Sequence, residues 1–181
     1  MEIILTTPRL ILRRFTLADA GLLLQLNSDP EVLKYLHEPM LQDEAHAREI
    51  LTNIILPQYN NNLGRWAVLL KDNNEFIGWC GLWQLKETGE IEVGYALFKE
   101  FWGRGFAVEA SEPFLEYGFT ELNLPKIVAC ANPNNSGSRR VMEKLGMTFD
   151  HIGFYYGRDL VHYTIWKEDF LTQRRKDAKV I

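Results

Sequence analysis

The spacing of apolar residues changes along the chain, and each change marks a new element. "RLILRRF" over 9–15 alternates like a strand, and Thr16 with Asp19 forms a capping pair for a helix running toward Asn27. "SDPEVLKYL" opens a second, short helix at Ser28. Ala45, Ile50, Leu51, Ile54 and Ile55 fall at helical spacing between Asp43 and about Tyr59, where Asn60, Asn61 and Asn62 close the segment. From residue 65 three β-rich runs follow, "RWAVLLK", "EFIGWCGLWQL" and "EIEVGYALF", parted by hairpin-type turns at Asp72-Asn73-Asn74 and Thr88-Gly89. They predict an antiparallel meander. Beyond them come a helix in "AVEASEPFLEYGF" with Pro113 inside it, a strand in "KIVACAN", and a helix in "SGSRRVMEKLG" closed by Gly146. Two strands around "YYGRDL" finish the pattern. This order predicts an α+β domain whose sheet is partly antiparallel and partly parallel. A single domain is expected over 1–181, with its core over about 7–168 and a frayed basic tail over 169–181.

Composition narrows the classes. At 181 residues, 46% hydrophobic and 24% charged, the chain is an ordinary globular domain that buries a core without disulfides. Its net charge of −4 gives no general attraction to nucleic acid or anionic lipid, so any anion site must be local. No run reaches the ~18 apolar residues of a membrane span, and the start lacks a leader pattern, which predicts a cytoplasmic protein. Cys80 and Cys130 lie in strand-like runs with no partner at metal-ligand spacing. They read as buried free thiols, and no metal is expected.

"EFWGRGFAVEA" over 100–110 places Gly103 and Gly105 between an aromatic cluster and a helix start. Such a bend points several backbone N–H groups at one place, where the helix dipole adds positive charge. A dinucleotide fingerprint would need a third glycine where Val108 stands, and a nucleoside-triphosphate loop would need a Gly-Lys-Ser/Thr ending. Both fail. A tight turn using glycine only for its backbone freedom remains open on these residues alone.

"GYALFKEFWGRGFAVEA", followed by "ANPNNSGSRRVMEKLGMTFD", resembles the GNAT superfamily of acyl-coenzyme A dependent N-acyltransferases. Its Gln/Arg-x-x-Gly-x-Gly/Ala signature reads Trp102-Gly103-Arg104-Gly105-Phe106-Ala107 here, and its Asn-x-x-Ser signature is met by Asn135 and Ser138. Trp102 at the Gln/Arg position, with the opening "TPRLILRRFTLADA", is similar to the branch of ribosomal-protein N-terminal acetyltransferases (RimJ/RimL-like). The resemblance implies a central mixed, mostly antiparallel sheet, splayed in the middle and flanked by helices. It also implies acetyl-coenzyme A as cofactor, with its pantetheine arm in the splay. Cofactor contacts are implied at Leu97, Phe98, Gly103, Arg104, Gly105, Phe106, Ala107, Asn135 and Ser138.

Acetyl transfer to an amine needs a neutral nucleophile, a stabilised oxyanion and a proton for the departing thiolate. The resemblance implies a backbone N–H near Phe98 as oxyanion donor. Glu92, preceding "VGYAL", is the first candidate for the base; as an exposed strand residue it would share a face with Glu90. His151 is a second candidate. Met142 stands where many family members carry a tyrosine, so Ser138 becomes the candidate acid or thiol anchor, with a helix-cap serine as the plain alternative. A thiol pKa near ~8.5 makes the thiolate a tolerable leaving group. Tyr155 and Tyr156 are further hydroxyl candidates. Asn135 would hold the pantetheine or fix its loop.

For the acceptor, Trp66, Trp79, Trp83, Tyr95, Phe154, Tyr155, Tyr156 and Tyr163 offer aromatic walls or core packing, and Asp29, Glu38, Asp43 and Glu44 offer negative charge. The expected substrate is a protein N-terminal α-amino group, with a small-molecule amine or a non-catalytic coenzyme-binding module as alternatives. No nucleic-acid or membrane partner is expected, and the chain reads as a monomer or homodimer.

Overall fold

The computed structural model describes residues 3–36 and 38–177. One eight-stranded sheet runs in the order β1-β2-β3-β4-β5-β6-β8-β7. β1 (Ile3–Thr6) and β2 (Leu10–Arg14) precede α1 (Ala20–Asn27), α2 (Pro30–Leu33) and α3 (Glu44–Ile50). Thr16 N–H and Oγ1 both donate to Asp19 Oδ2, so the expected cap forms. Asp19 also receives a two-pronged bond from Arg13, Nη2 to Oδ1 at 2.7 Å and Nη1 to Oδ2 at 2.8 Å, and both residues are buried. The cap of α2 is Asp29 rather than Ser28: its Oδ1 accepts the Glu31 N–H, and Pro30 fills the first helical position.

The segment expected as one helix to Tyr59 is broken. After α3 the chain widens into a π turn over Leu51–Ile55, then resumes as α4 (Leu56–Gln58). Pro57 has no N–H for an ordinary helical bond, and the Leu56 N–H reaches back to Leu51 O across the wide turn.

β3 (Gly64–Leu70), β4 (Phe76–Gln84) and β5 (Ile91–Leu97) form the meander. From β5 the chain crosses through α5 (Phe106–Thr120) to β6 (Lys126–Ala131), which pairs with β5 in parallel only at Glu92 and Val128. Past that single pairing the two strands part. α6 (Ser136–Lys144) leads to β7 (Thr148–Tyr155) and β8 (Arg158–Trp166), joined by a two-residue turn at Tyr156-Gly157. The core stacks Trp66 of β3 on Phe114 of α5 at 4.6 Å between ring centroids.

Residues 167–177, expected in part as a frayed tail, form α7 (Lys167–Asp177); Phe170 is buried beside Phe119 at 5.0 Å. The last four residues lie outside the described set. No described helix is long and apolar enough to cross a membrane.

Candidate active site

A continuous cavity of about 760 Å³ follows the gap between β5 and β6 and opens toward α2, β3 and β4. One end is the glycine bend. Gly103 and Gly105 have φ of 70° and 83°, a left-handed backbone that glycine adopts without a Cβ penalty. Gly105 is the N-cap of α5 and no side chain caps that helix, so the first-turn N–H groups of Phe106, Ala107 and Val108 precede the first helical donor. The indole N–H of Trp102 donates to Leu97 O at 2.7 Å and ties the bend to the end of β5.

The β1–β2 turn braces the same helix end. Thr7 Oγ1 and the Arg9 backbone N–H donate to Glu109 Oε1, and Arg9 Nε donates to Glu109 Oε2 at 2.6 Å. Burial opposes the Glu109 charge, but the bonds from Thr7 and Arg9 outweigh it and hold the carboxyl below its ordinary range. The Arg9 guanidinium also donates to Arg104 O. The Arg104 side chain lies over the Phe101 and Phe106 rings and does not line the cavity.

Leu97, Gly103, Gly105, Phe106, Ala107, Asn135 and Ser138 all line it; Phe98 does not. The Phe98 N–H donates to Ile77 O at 3.0 Å and is used within the sheet, so the expected donor near Phe98 falls to a neighbouring N–H. Alternation along the strand turns the neighbouring Leu97 N–H the other way, toward the gap.

On α6, Asn135 Oδ1 accepts the Ser138 N–H at 3.0 Å, so the asparagine side chain caps the helix. Burial pushes the ionisation of the Tyr95 hydroxyl up to about 12, against the nearby Ser138 side chain. Sequence reading treated Tyr95 only as an aromatic wall, and it is a hydroxyl neighbour of Ser138. It also missed Arg140 and Lys144, which line the cavity from α6 and bring positive charge to it.

Glu92 is the buried acid of this cavity, 4% exposed. The alternative of an exposed strand residue is therefore corrected: the pairing with β6 and the β7–β8 turn cover it. Cys130 N–H donates to Oε1 at 3.0 Å and the Tyr156 hydroxyl donates to Oε2 at 2.5 Å. Trp83 Nε1 in turn donates to the Tyr156 oxygen at 2.8 Å. Burial pushes the Glu92 carboxyl up to about 7, against the bonds from Tyr156 and Cys130 and the charge of Arg65. Tyr156 itself is held protonated, chiefly by burial and then by the adjacent Glu92 charge.

At the end of the cavity toward α2 and β3, Arg65 lies over the Trp79 and Trp83 rings at 4.6 and 5.2 Å and pairs with Glu38, which also accepts from Asn27 Nδ2. Of the four acidic candidates only Glu38 lines the cavity: Asp29 and Asp43 cap α2 and α3, and Glu44 pairs with Arg48. Of the aromatic candidates Trp66 is core, Phe154 is exposed, and Tyr163 is buried with its hydroxyl on Glu143. His151 does not reach the cavity, and Tyr155 turns toward His151 and His162. Cys80 and Cys130 are free thiols; Cys80 is buried, but Cys130 is only part-buried and lines the cavity, a correction for the second. Burial pushes the Cys80 thiol up to about 12 and also raises Cys130.

A family profile described as Acetyltransferase (GNAT) domain matches residues 9–148. The chain belongs to the GNAT acetyltransferases. It is 39% identical over 142 residues to the uncharacterized N-acetyltransferase p20 of Bacillus licheniformis, covering 78% of this chain and 80% of that one. A GNAT-family acetyltransferase structure from Bacillus anthracis superposes with a TM-score of 0.76 at 28% identity, covering 93% of this chain and 99% of its own. RimL, a ribosomal L7/L12 alpha-N-protein acetyltransferase in complex with coenzyme A, shares the fold with a TM-score of 0.78 at 18% identity, over 91% of this chain and 98% of that one. This GNAT protein is an acetyl-coenzyme A dependent N-acetyltransferase.

Proposed function

We propose that this GNAT enzyme acetylates α-amino groups, with a protein N-terminus as the preferred acceptor and Glu92 as the base. The observation that carries the reading is the buried Glu92 carboxyl, held in the cavity by Tyr156 and the Cys130 N–H and pushed up to about 7 by burial. A protein α-amino group ionises near ~8 and a lysine or polyamine amine near ~10.4, so proton transfer to Glu92 is close to balanced only for the former. The likeness to a ribosomal-protein α-N-acetyltransferase fold is in keeping with this reading.

Acetyl-coenzyme A supplies the activated acetyl group as a thioester. The uncapped N–H groups of Phe106, Ala107 and Val108, approached over the open backbone of Gly103 and Gly105, suit its pyrophosphate, and Arg140 and Lys144 suit further phosphate charge. Glu92 takes the proton from the acceptor ammonium, directly or through one water, while Tyr156 and the Cys130 N–H hold its carboxylate in place. The Leu97 N–H meets negative charge developing on the thioester oxygen. As the amine nitrogen forms the C–N bond and the C–S bond breaks, Ser138 would give a hydrogen bond to the departing sulfur, and the second amine proton would pass to that thiolate. Asn135 keeps Ser138 in register by capping α6. The chain acts as a single domain in the cytoplasm, as a monomer or homodimer.

The test is mass spectrometry after incubation with acetyl-coenzyme A and a mixture of N-terminally free peptides, polyamines and amino acids. Peptide α-N-acetylation is expected. Acetylation of small amines with no modified peptide would replace the preferred acceptor, and coenzyme binding with no transfer to any amine would remove the catalytic reading.

A further inference from the structure

Away from the cavity, the β7–β8 hairpin gathers three side chains with metal-ligand chemistry. β7 carries a bulge between Phe149 and His151: Phe149 pairs with Tyr163 and His151 pairs with His162, which leaves Asp150 as the extra residue. A bulge turns a side chain out of the strand alternation. Here Asp150 joins His151 on the face of His162. Asp150 Oδ2 stands 3.2 Å from His151 Nδ1 and 3.5 Å from His162 Nδ1, and one donor atom from each of the three residues lies within 4.8 Å of the others.

His162 is 1% exposed, and neither of its ring nitrogens completes a hydrogen bond. A buried imidazole left unsatisfied is destabilising unless something else meets its lone pair. The far nitrogens face outer groups: His162 Nε2 lies 3.4 Å from Glu90 Oε2, short of a completed hydrogen bond, and His151 Nε2 meets the Tyr155 hydroxyl at 3.0 Å. Glu90 is itself fixed by Lys126. Outer carboxylates and hydroxyls in these positions orient histidines whose other nitrogen is a ligand.

We propose that Asp150, His151 and His162 bind one divalent transition-metal ion of the zinc class. Two imidazoles and a carboxylate favour zinc, nickel or copper over magnesium or calcium, which take oxygen donors. The His151 and Asp150 side chains are 48% and 55% exposed, so the ion has an open approach and a position left for water. Bound there it joins the bulge of β7 to β8, in the hairpin whose turn carries Tyr156.

The experiment is a Co²⁺ titration of the tag-free, chelator-treated full chain, read by visible d–d absorption and reversed by Zn²⁺. One saturable equivalent is expected, displaced by Zn²⁺, with affinity at least ~10-fold weaker in both His151→Ala and Asp150→Asn and unchanged in His46→Ala. Both substituted side chains are about half exposed, so the variants keep the fold, and their thermal melts without metal should match the parent. Zn²⁺ should raise the parent's melting temperature and leave that of His151→Ala unmoved. Failure of the parent to bind either ion, or undiminished binding in His151→Ala and Asp150→Asn, overturns the site. Neither readout depends on which amine is acetylated.

Discussion

Tyr156 donates to Glu92 from a backbone at φ 52°, a left-handed conformation uncommon for a bulky aromatic residue. The turn requires it: Tyr156 and Gly157, at φ 52° and 77°, form a two-residue hairpin loop of the type that needs positive φ at both positions. Asn or Gly would fit that loop with less strain. A tyrosine held there, with Trp83 on its oxygen and Glu87 accepting its backbone N–H, is consistent with a positioning role for its hydroxyl.

Tyr156→Phe keeps the ring and removes the hydroxyl. The groups facing Glu92 are then Arg65 from β3, Cys130 from β6 and the Trp83 indole from β4. Losing the donor to the carboxylate raises the Glu92 pKa, so the acid limb of kcat/KM should move up by about one pH unit, with activity recovering at high pH. A pH–rate profile checks this; an unmoved limb would leave Tyr156 as turn packing only.

Glu92→Gln should abolish most turnover, by roughly 10²-fold or more, and yet stabilise the fold at pH 8. A carboxyl raised from 4.5 to about 7 binds its proton more tightly folded than unfolded. Stability therefore falls as pH rises between those values and stays reduced above them. Removing the charge should restore on the order of 1 to 3 kcal/mol at pH 8 and little at pH 4. Thermal melts of parent and variant at the two pH values give the comparison.

Ser138 and Tyr95 both line the cavity, and the Ser138 side chain lies near the Tyr95 hydroxyl. Ser138→Ala should lower kcat by about 10-fold, since a thiolate needs modest help to leave, and Tyr95→Phe should lower it less. Because the two act as a unit, the double variant should be little worse than Ser138→Ala. Additive losses in steady-state kinetics would show that they act separately.

Gly105→Ala forces a Cβ onto a backbone at φ 83°, with Arg9 Nη2 at 3.5 Å as the nearest atom. Backbone strain of roughly 1–2 kcal/mol should lower the melting temperature. The displaced α5 terminus should raise KM for acetyl-coenzyme A more than it changes kcat. Equal effects on both constants would argue against a ground-state cofactor contact.

Asp19→Ala leaves Arg13 charged and buried with only the Arg14 carbonyl to donate to, and also removes the capping box on the 3-10 turn over Leu17–Asp19 that leads into α1. A loss of about 3–5 kcal/mol in urea unfolding is expected. Asp19→Asn should lose less, because its amide oxygen still accepts from Thr16.

The order of elements, the meander and the glycine bend into α5 were legible in the sequence because each rests on local chemistry. Period, capping side chains and positive-φ glycines act within a few residues of themselves. The same locality explains the errors: Pro57 widens a helix whose apolar spacing looked continuous, and Phe170 holds α7 in place by a contact 51 residues away in sequence. The family signature also pointed to the residues around the bend, since they are contiguous. Burial of Glu92 was not legible, because the strands and turn that cover it come from later in the chain. Strand register decides that the Leu97 N–H, not that of Phe98, turns toward the gap. A single extra residue in β7 decides that Asp150 stands with His151 and His162. These are long-range pairings, and only the folded sheet fixes which backbone groups are used up and which side chains lose their water.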